Sequence, residues 1–148
     1  MRKYWELRSE DKVAEADDPQ NAFAQEFFQY YLAHPRTKTG RQALSSAFVM
    51  WGNIGEIDQV KKAIPQIDIH ADVWSPILSG IGNAFSKNNQ GDEFIALLHD
   101  FESKLTHPAS KTAVFNRLGD YYLGKDDGGR AKDFFQRIVS LDADSFYV

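Results

Sequence analysis

Five residues return in matched places along this chain: Leu32, His34, Pro35, Lys38 and Thr39 in one stretch, and Leu105, His107, Pro108, Lys111 and Thr112 in another. The two histidines, at positions 34 and 107, are 73 residues apart. That offset is about twice the ~34-residue length of a two-helix repeat unit, so the chain is expected to stack helical hairpins.

The apolar pattern agrees with this expectation. Apolar residues recur at helical period, and the breaks between segments hold the Pro, Gly, Asn and Asp residues that end helices. Asp17-Asp18-Pro19 reads as an N-cap with proline in the first turn, opening a helix through Phe23, Phe27, Phe28, Tyr31 and Leu32. Thr37 or Thr39 caps the next, through Leu44, Ala47, Phe48 and Trp51, which Gly52-Asn53-Ile54-Gly55 ends. Its partner is predicted from about Glu56 to Ile67, kinked or shortened by Pro65. Two further pairs follow, Val73 to Lys87 with Asp92 to Leu105, and Lys111 to Leu123 with Gly129 to Leu141. Pro76 fits a first turn if its helix starts at Ser75. An eighth segment, Tyr4 to Ala16, places Tyr4, Trp5 and Leu7 ahead of a mostly charged stretch, so residues 1–18 are either a short helix or a tail. Sustained two-residue alternation with a hairpin turn is lacking, and no sheet is expected.

Composition narrows the functional classes. With 148 residues, 43% apolar and 14% aromatic, the chain has material for one helical-repeat domain with a proper core. A net charge of −4 argues against a nucleic-acid or anionic-membrane surface, which would need concentrated Lys and Arg. The absence of cysteine removes thiol catalysis, disulfides and cysteine-ligated zinc, and leaves the compartment unassigned. The run Ala47-Phe48-Val49-Met50-Trp51 is far too short to span a bilayer, so membrane insertion is not expected.

In the last predicted pair, Phe115, Leu118, Gly119, Tyr122, Ala131 and Phe135 fall at the spacings of the tetratricopeptide repeat, and the chain resembles that family. The resemblance implies a right-handed, all-α solenoid of antiparallel hairpins with seven to eight helices. Small Gly119 and Ala131 let paired helices approach while Phe115, Tyr122 and Phe135 fill the space around them. Ile138 departs from the small residue usual at its place, and Ala143 from the usual proline. Aligned by their turns, the other pairs put Phe48 and Gly82 where the last has Gly119, and Trp51 and Phe85 where it has Tyr122. The block is also similar to helical regions that precede thioredoxin-like domains in bacterial cell-envelope proteins, through Ala47 to Gly55, Trp74-Ser75-Pro76 and the turns after Leu105 and Leu141. Without a Cys-x-x-Cys, that likeness places any thiol-disulfide chemistry in another part of a longer protein. A repeat array normally finishes with a polar outer face. Ser145-Phe146-Tyr147-Val148 therefore leads to the expectation of a piece of a longer chain, unless these residues fold back over the last pair.

The tests for chemistry come out negative. His34 and His107 are read as helix-end punctuation, and His70 and His99 belong to no zinc pattern. Asp126-Asp127-Gly128-Gly129 lacks the alternating ligands of a calcium loop, and Gly80-Ile81-Gly82 follows no strand, so its glycines are read as helix-packing sites. No serine sits in a nucleophile elbow. The expectation is a non-catalytic chain with no cofactor and no metal, whose partner is a protein or peptide.

The family's groove is lined by first helices. Carrying those positions across gives Gln42, Ser45, Val49 and Asn53, then Ser79, Asn83 and Lys87, then Asn116, Arg117 and Asp120. Such Asn and Arg side chains suit a peptide backbone or terminal carboxylate. Phe23, Phe27, Phe28, Tyr30 and Tyr31 crowd one helix, with adjacent pairs pointing about 100° apart. That helix is expected to be covered on more than one side, by Tyr4, Trp5 and Leu7 or by another chain, a homodimer being one form of the latter.

Overall fold

In the computed structural model, which describes residues 18–146 and side chains through residue 141, seven α-helices follow one another. They are α1 (Pro19–Ala33), α2 (Lys38–Ile54), α3 (Ile57–Ala63), α4 (Trp74–Lys87), α5 (Gly91–Lys104), α6 (Pro108–Gly124) and α7 (Gly128–Phe146). No strand occurs among the described residues, and the chain is all-helical there as expected. The segment Tyr4 to Ala16 lies outside the described residues.

Local chemistry accounts for most boundaries. Asp18 caps α1 by accepting from Gln20 N at 2.8 Å, with Pro19 at the position where a missing N–H costs nothing. Thr37, not Thr39, caps α2: its Oγ1 accepts from Gly40 N at 2.9 Å. Gly55, at φ +73°, closes α2 in the left-handed conformation that glycine adopts without strain. After α3 the chain tightens into a 3-10 turn over Ile64–Gln66, because Pro65 has no N–H to continue an α-helix. The partner helix expected to reach Ile67 therefore ends at Ala63.

The two His-Pro turns are not the same device, which corrects their reading as equivalent helix ends. At the first, the backbone N–H of His34 closes α1 onto Tyr30 O and Tyr31 O, residues 34–37 connect, and α2 begins at Lys38. At the second, α5 has already ended at Lys104, and His107 is the N-cap of α6: its Nδ1 accepts from Ala109 N at 3.1 Å. A ring nitrogen can do there what a serine or aspartate oxygen does, so α6 starts three residues before the expected Lys111.

The helices fall into two compact units, one of residues up to Ile67 with Ser79–Gln90, the other of Asp68–Leu78 with residues from Gly91 onward. In the first, Ala24, Phe28 and Tyr31 of α1 meet Leu44, Ala47, Phe48 and Trp51 of α2, with Phe28 and Trp51 rings 5.6 Å apart. Trp51 is buried yet satisfied, its Nε1 donating to Asn21 Oδ1 at 3.1 Å. The second half of α4 crosses α2 at glycines: a Cβ placed on Gly80 would lie 2.3 Å from Phe48 O, and one on Gly52 2.7 Å from Gly80 O. Gly80 makes the close approach expected of a helix-packing glycine. Asn88 Nδ2 fastens the end of the crossing by donating to Gly55 O at 2.8 Å.

In the second unit, Trp74, Leu98, Phe101, Leu105, Val114, Leu118, Ala131 and Phe134 are buried. Trp74 Nε1 donates to Asp68 O at 3.0 Å, and the buried Ser110 donates to Ala71 O at 2.7 Å. Gly119 and Ala131 are buried, and a Cβ on Gly119 would lie 2.7 Å from the Phe135 ring.

Candidate functional site

On α1 two aromatic stripes run side by side. Ala24, Phe28 and Tyr31 form one, and Phe23, Phe27 and Tyr30 form the other, each with spacings of four and three residues that keep it on one helix face. The first stripe is buried, while Phe23, Phe27 and Tyr30 are 38%, 37% and 42% exposed. The second stripe is therefore a surface, not core.

That surface is one wall of a groove of about 460 Å³ whose other wall is α2, with Thr39, Gln42, Ala43 and Ser46 facing Phe23, Glu26, Phe27 and Tyr30. Rings and the Ala43 methyl supply an apolar floor, and Glu26, Thr39, Gln42 and Ser46 supply hydrogen-bonding groups. Concave apolar sites with few polar groups are the form that ligand and peptide sites take. Tyr30 also packs against the His34 ring, with centroids 4.7 Å apart. On the opposite flank of α1 a cleft of about 370 Å³ is lined by Gln25, Gln29, Gln59, Lys62 and Gln66 around Phe28 and Trp51, and is mixed in character.

Of the ten positions carried across from the family pattern, Gln42 lies in the aromatic groove, and Val49 and Asn53 continue its α2 face at helical spacing. Ser45 is half-buried to one side. Asn53 O accepts from Lys87 Nζ at 2.6 Å, so this lysine is engaged in fastening α4 to α2. Asn83 sits beside Gly52 at the glycine crossing, and Ser79 is exposed on the same helix. Asn116, Arg117 and Asp120 belong to α6 in the other unit. Partial burial lowers the pKa of Arg117 from its ordinary value, opposed by the charge of Asp120, and the guanidinium stays protonated at neutral pH.

The second unit carries a polar chain that the sequence did not announce. Tyr122 OH meets His99 Nε2 at 2.8 Å, His99 Nδ1 meets Glu102 at 3.2 Å, and Glu102 pairs with Arg137, which also reaches Asp133 at 3.3 Å. Arg137 lies over the Phe134 and Phe115 rings, and Arg130 over Tyr122. These residues are separated by up to 38 positions, and only the His99-x-x-Glu102 and Asp133-x-x-x-Arg137 spacings were readable beforehand. The network ties α5, α6 and α7 together. Asp127 serves as a cap, its Oδ1 accepting from Arg130 N at 3.1 Å at the start of α7. A shallow apolar face of about 440 Å³ also lies along α7, around Leu123, Ala131, Phe135 and Val139.

The sequence reading missed the division of labour between the α1 stripes. Helical periodicity alone was able to show that two aromatic faces exist, but not which one the fold covers. Compared with known proteins, the chain matches no family model, no curated protein and no solved structure.

Proposed function

We propose that this chain is a non-catalytic interaction scaffold of tetratricopeptide-like plan, a right-handed solenoid of antiparallel hairpins, which holds an amphipathic helical segment of a partner protein in the α1–α2 groove. The observation that carries the reading is the exposed Phe23–Phe27–Tyr30 stripe facing Gln42 and Ser46. Rigid aromatic side chains bury large area at low entropic cost, which is why they anchor interfaces. A helix presenting apolar residues at i, i+4 and i+7 matches the stripe's own spacing, and its polar flank can meet Glu26, Thr39 and Gln42. Support for the hairpin plan comes from short connections at residues 55–56, 88–90, 105–107 and 125–127, and from small residues at helix crossings.

The test uses a fluorescein-labelled amphipathic peptide with leucines at i, i+4 and i+7. Its anisotropy should rise on titration with the protein, and Phe27→Glu should abolish the rise while far-UV circular dichroism stays unchanged. Equal binding by Phe27→Glu would remove the groove from the proposal.

A further inference from the structure

We infer that the groove has an occupant within the chain itself: the segment before α1, through Tyr4, Trp5 and Leu7, docks on Phe23, Phe27 and Tyr30 and competes there with an external partner. The inference rests on the groove being the binding site. Residues 1–17 concentrate their largest apolar side chains at Tyr4, Trp5 and Leu7, with Arg2, Lys3 and Arg8 around them, Glu6 between them, and the other acidic residues at position 10 and beyond. The groove offers the complement, three aromatic side chains and one charged group, Glu26, which is the only charge on α1.

Reach fits as well as chemistry. Tyr30 lies 12 residues along α1 from Asp18, which is ~18 Å at the helical rise of about 1.5 Å per residue. Leu7 and Tyr4 precede Asp18 by 11 and 14 residues, so a helix doubling back would carry them ~16.5 and ~21 Å, within ~3 Å of the levels of Phe27 and Tyr30. An extended tail reaches further still, at up to ~3.3–3.6 Å per residue. A tether this short presents its apolar end at an effective concentration in the millimolar range, enough for a modest intrinsic contact to fill the groove. A partner must then displace the segment, and its apparent affinity falls by the fraction of molecules in which the groove is occupied.

Trp5 reports on this directly, because the other two tryptophans, Trp51 and Trp74, are 1% and 0% exposed. Acrylamide quenching of the full chain, with Trp5→Phe subtracted to isolate Trp5, should show Trp5 protected and blue-shifted at every protein concentration. Phe27→Glu should red-shift it and raise quenching to that of free indole, and Phe23→Glu should do the same if Phe27→Glu loses helicity. Free-indole quenching in the unaltered chain would overturn the proposal, as would protection that survives both substitutions. Protection that grows with protein concentration would assign the groove to a second copy instead. If Trp5 is free while the leucine peptide still binds, this inference fails and the proposed function stands; if Trp5 is protected but no peptide binds even to Trp5→Ala, the docking stands while the competition and the proposed function both fall.

Discussion

Gly80→Ala provides a sensitive test of how α2 and α4 meet. Counted by helix propensity alone, alanine in place of a mid-helix glycine should stabilise by ~1 kcal/mol. The geometry predicts the opposite sign. The new Cβ would lie 2.3 Å from Phe48 O and 2.6 Å from Phe48 C, where ordinary contact begins near 3.4 Å. Both atoms belong to the backbone, so no side chain can swing aside, and the helices must part by roughly 1 Å. Overpacking of this kind costs ~1–3 kcal/mol, and parting also strains the 2.6 Å bond from Lys87 to Asn53 O. After offsetting the propensity gain, a net loss of up to ~2 kcal/mol is expected, a fall in melting temperature of up to roughly 8 °C for a chain of this size. Gly91→Ala is the matched control, since nothing lies within 4 Å of its Cβ, and it should be neutral or stabilise by up to ~1 kcal/mol. Urea denaturation followed by far-UV circular dichroism measures both. A Gly80→Ala midpoint at or above that of the unaltered chain would refute the close crossing.

Other substitutions probe separate joints. Gly40→Ala should cost more than Gly80→Ala, because its Cβ would lie 1.8 Å from His34 O; the same denaturation series checks the order. Gly119→Ala should cost less than either, since the obstacle is the outer edge of the Phe135 ring, while Gly119→Leu should lose ~1–3 kcal/mol; an unchanged midpoint for the leucine variant would sink the packing assignment. Thr37→Ala removes the α2 cap and should destabilise by ~1 kcal/mol, whereas Thr39→Ala should change little, a contrast read by thermal melts. Arg137→Ala should cost ~1 kcal/mol through its rings and Glu102, and Arg137→Lys should recover only part of that, as a lysine cannot cover the rings with a planar group.

Where a boundary depends on one residue and its immediate neighbours, the sequence was readable. Asp18-Pro19, Thr37, Gly55 and Pro65 each act through bonds to groups a few positions away, and each stands where its chemistry requires. Where the outcome depends on what arrives from elsewhere, the reading was incomplete. Phe28 and Phe27 are adjacent and chemically identical, yet one is core and the other groove, because Trp51 covers only one face of α1. Gly80 is one glycine among several until Phe48 is placed against it. The ten positions brought over from the family pattern include Lys87, which turned out to be engaged at Asn53 O, and the aromatic side of the groove contributes none of them.

The unequal His-Pro turns affect how any functional position is carried from one part of this chain to another. Counted from the histidine, α2 starts at the fourth residue and α6 at the first. A phase difference of three residues turns a helix by about 60° short of a full turn and moves it ~4.5 Å along its axis. Letters that align, such as Lys38 with Lys111, then address different directions in space: Lys38 opens its helix in solvent, whereas Lys111 is half-buried a turn inside. Gly40 aligns with Ala113, and only the first position forbids a methyl group. A graft of residues 105–113 into the place of 32–40 would carry over most of the spelling of the turn but discard the glycine that lets α2 rest on the end of α1.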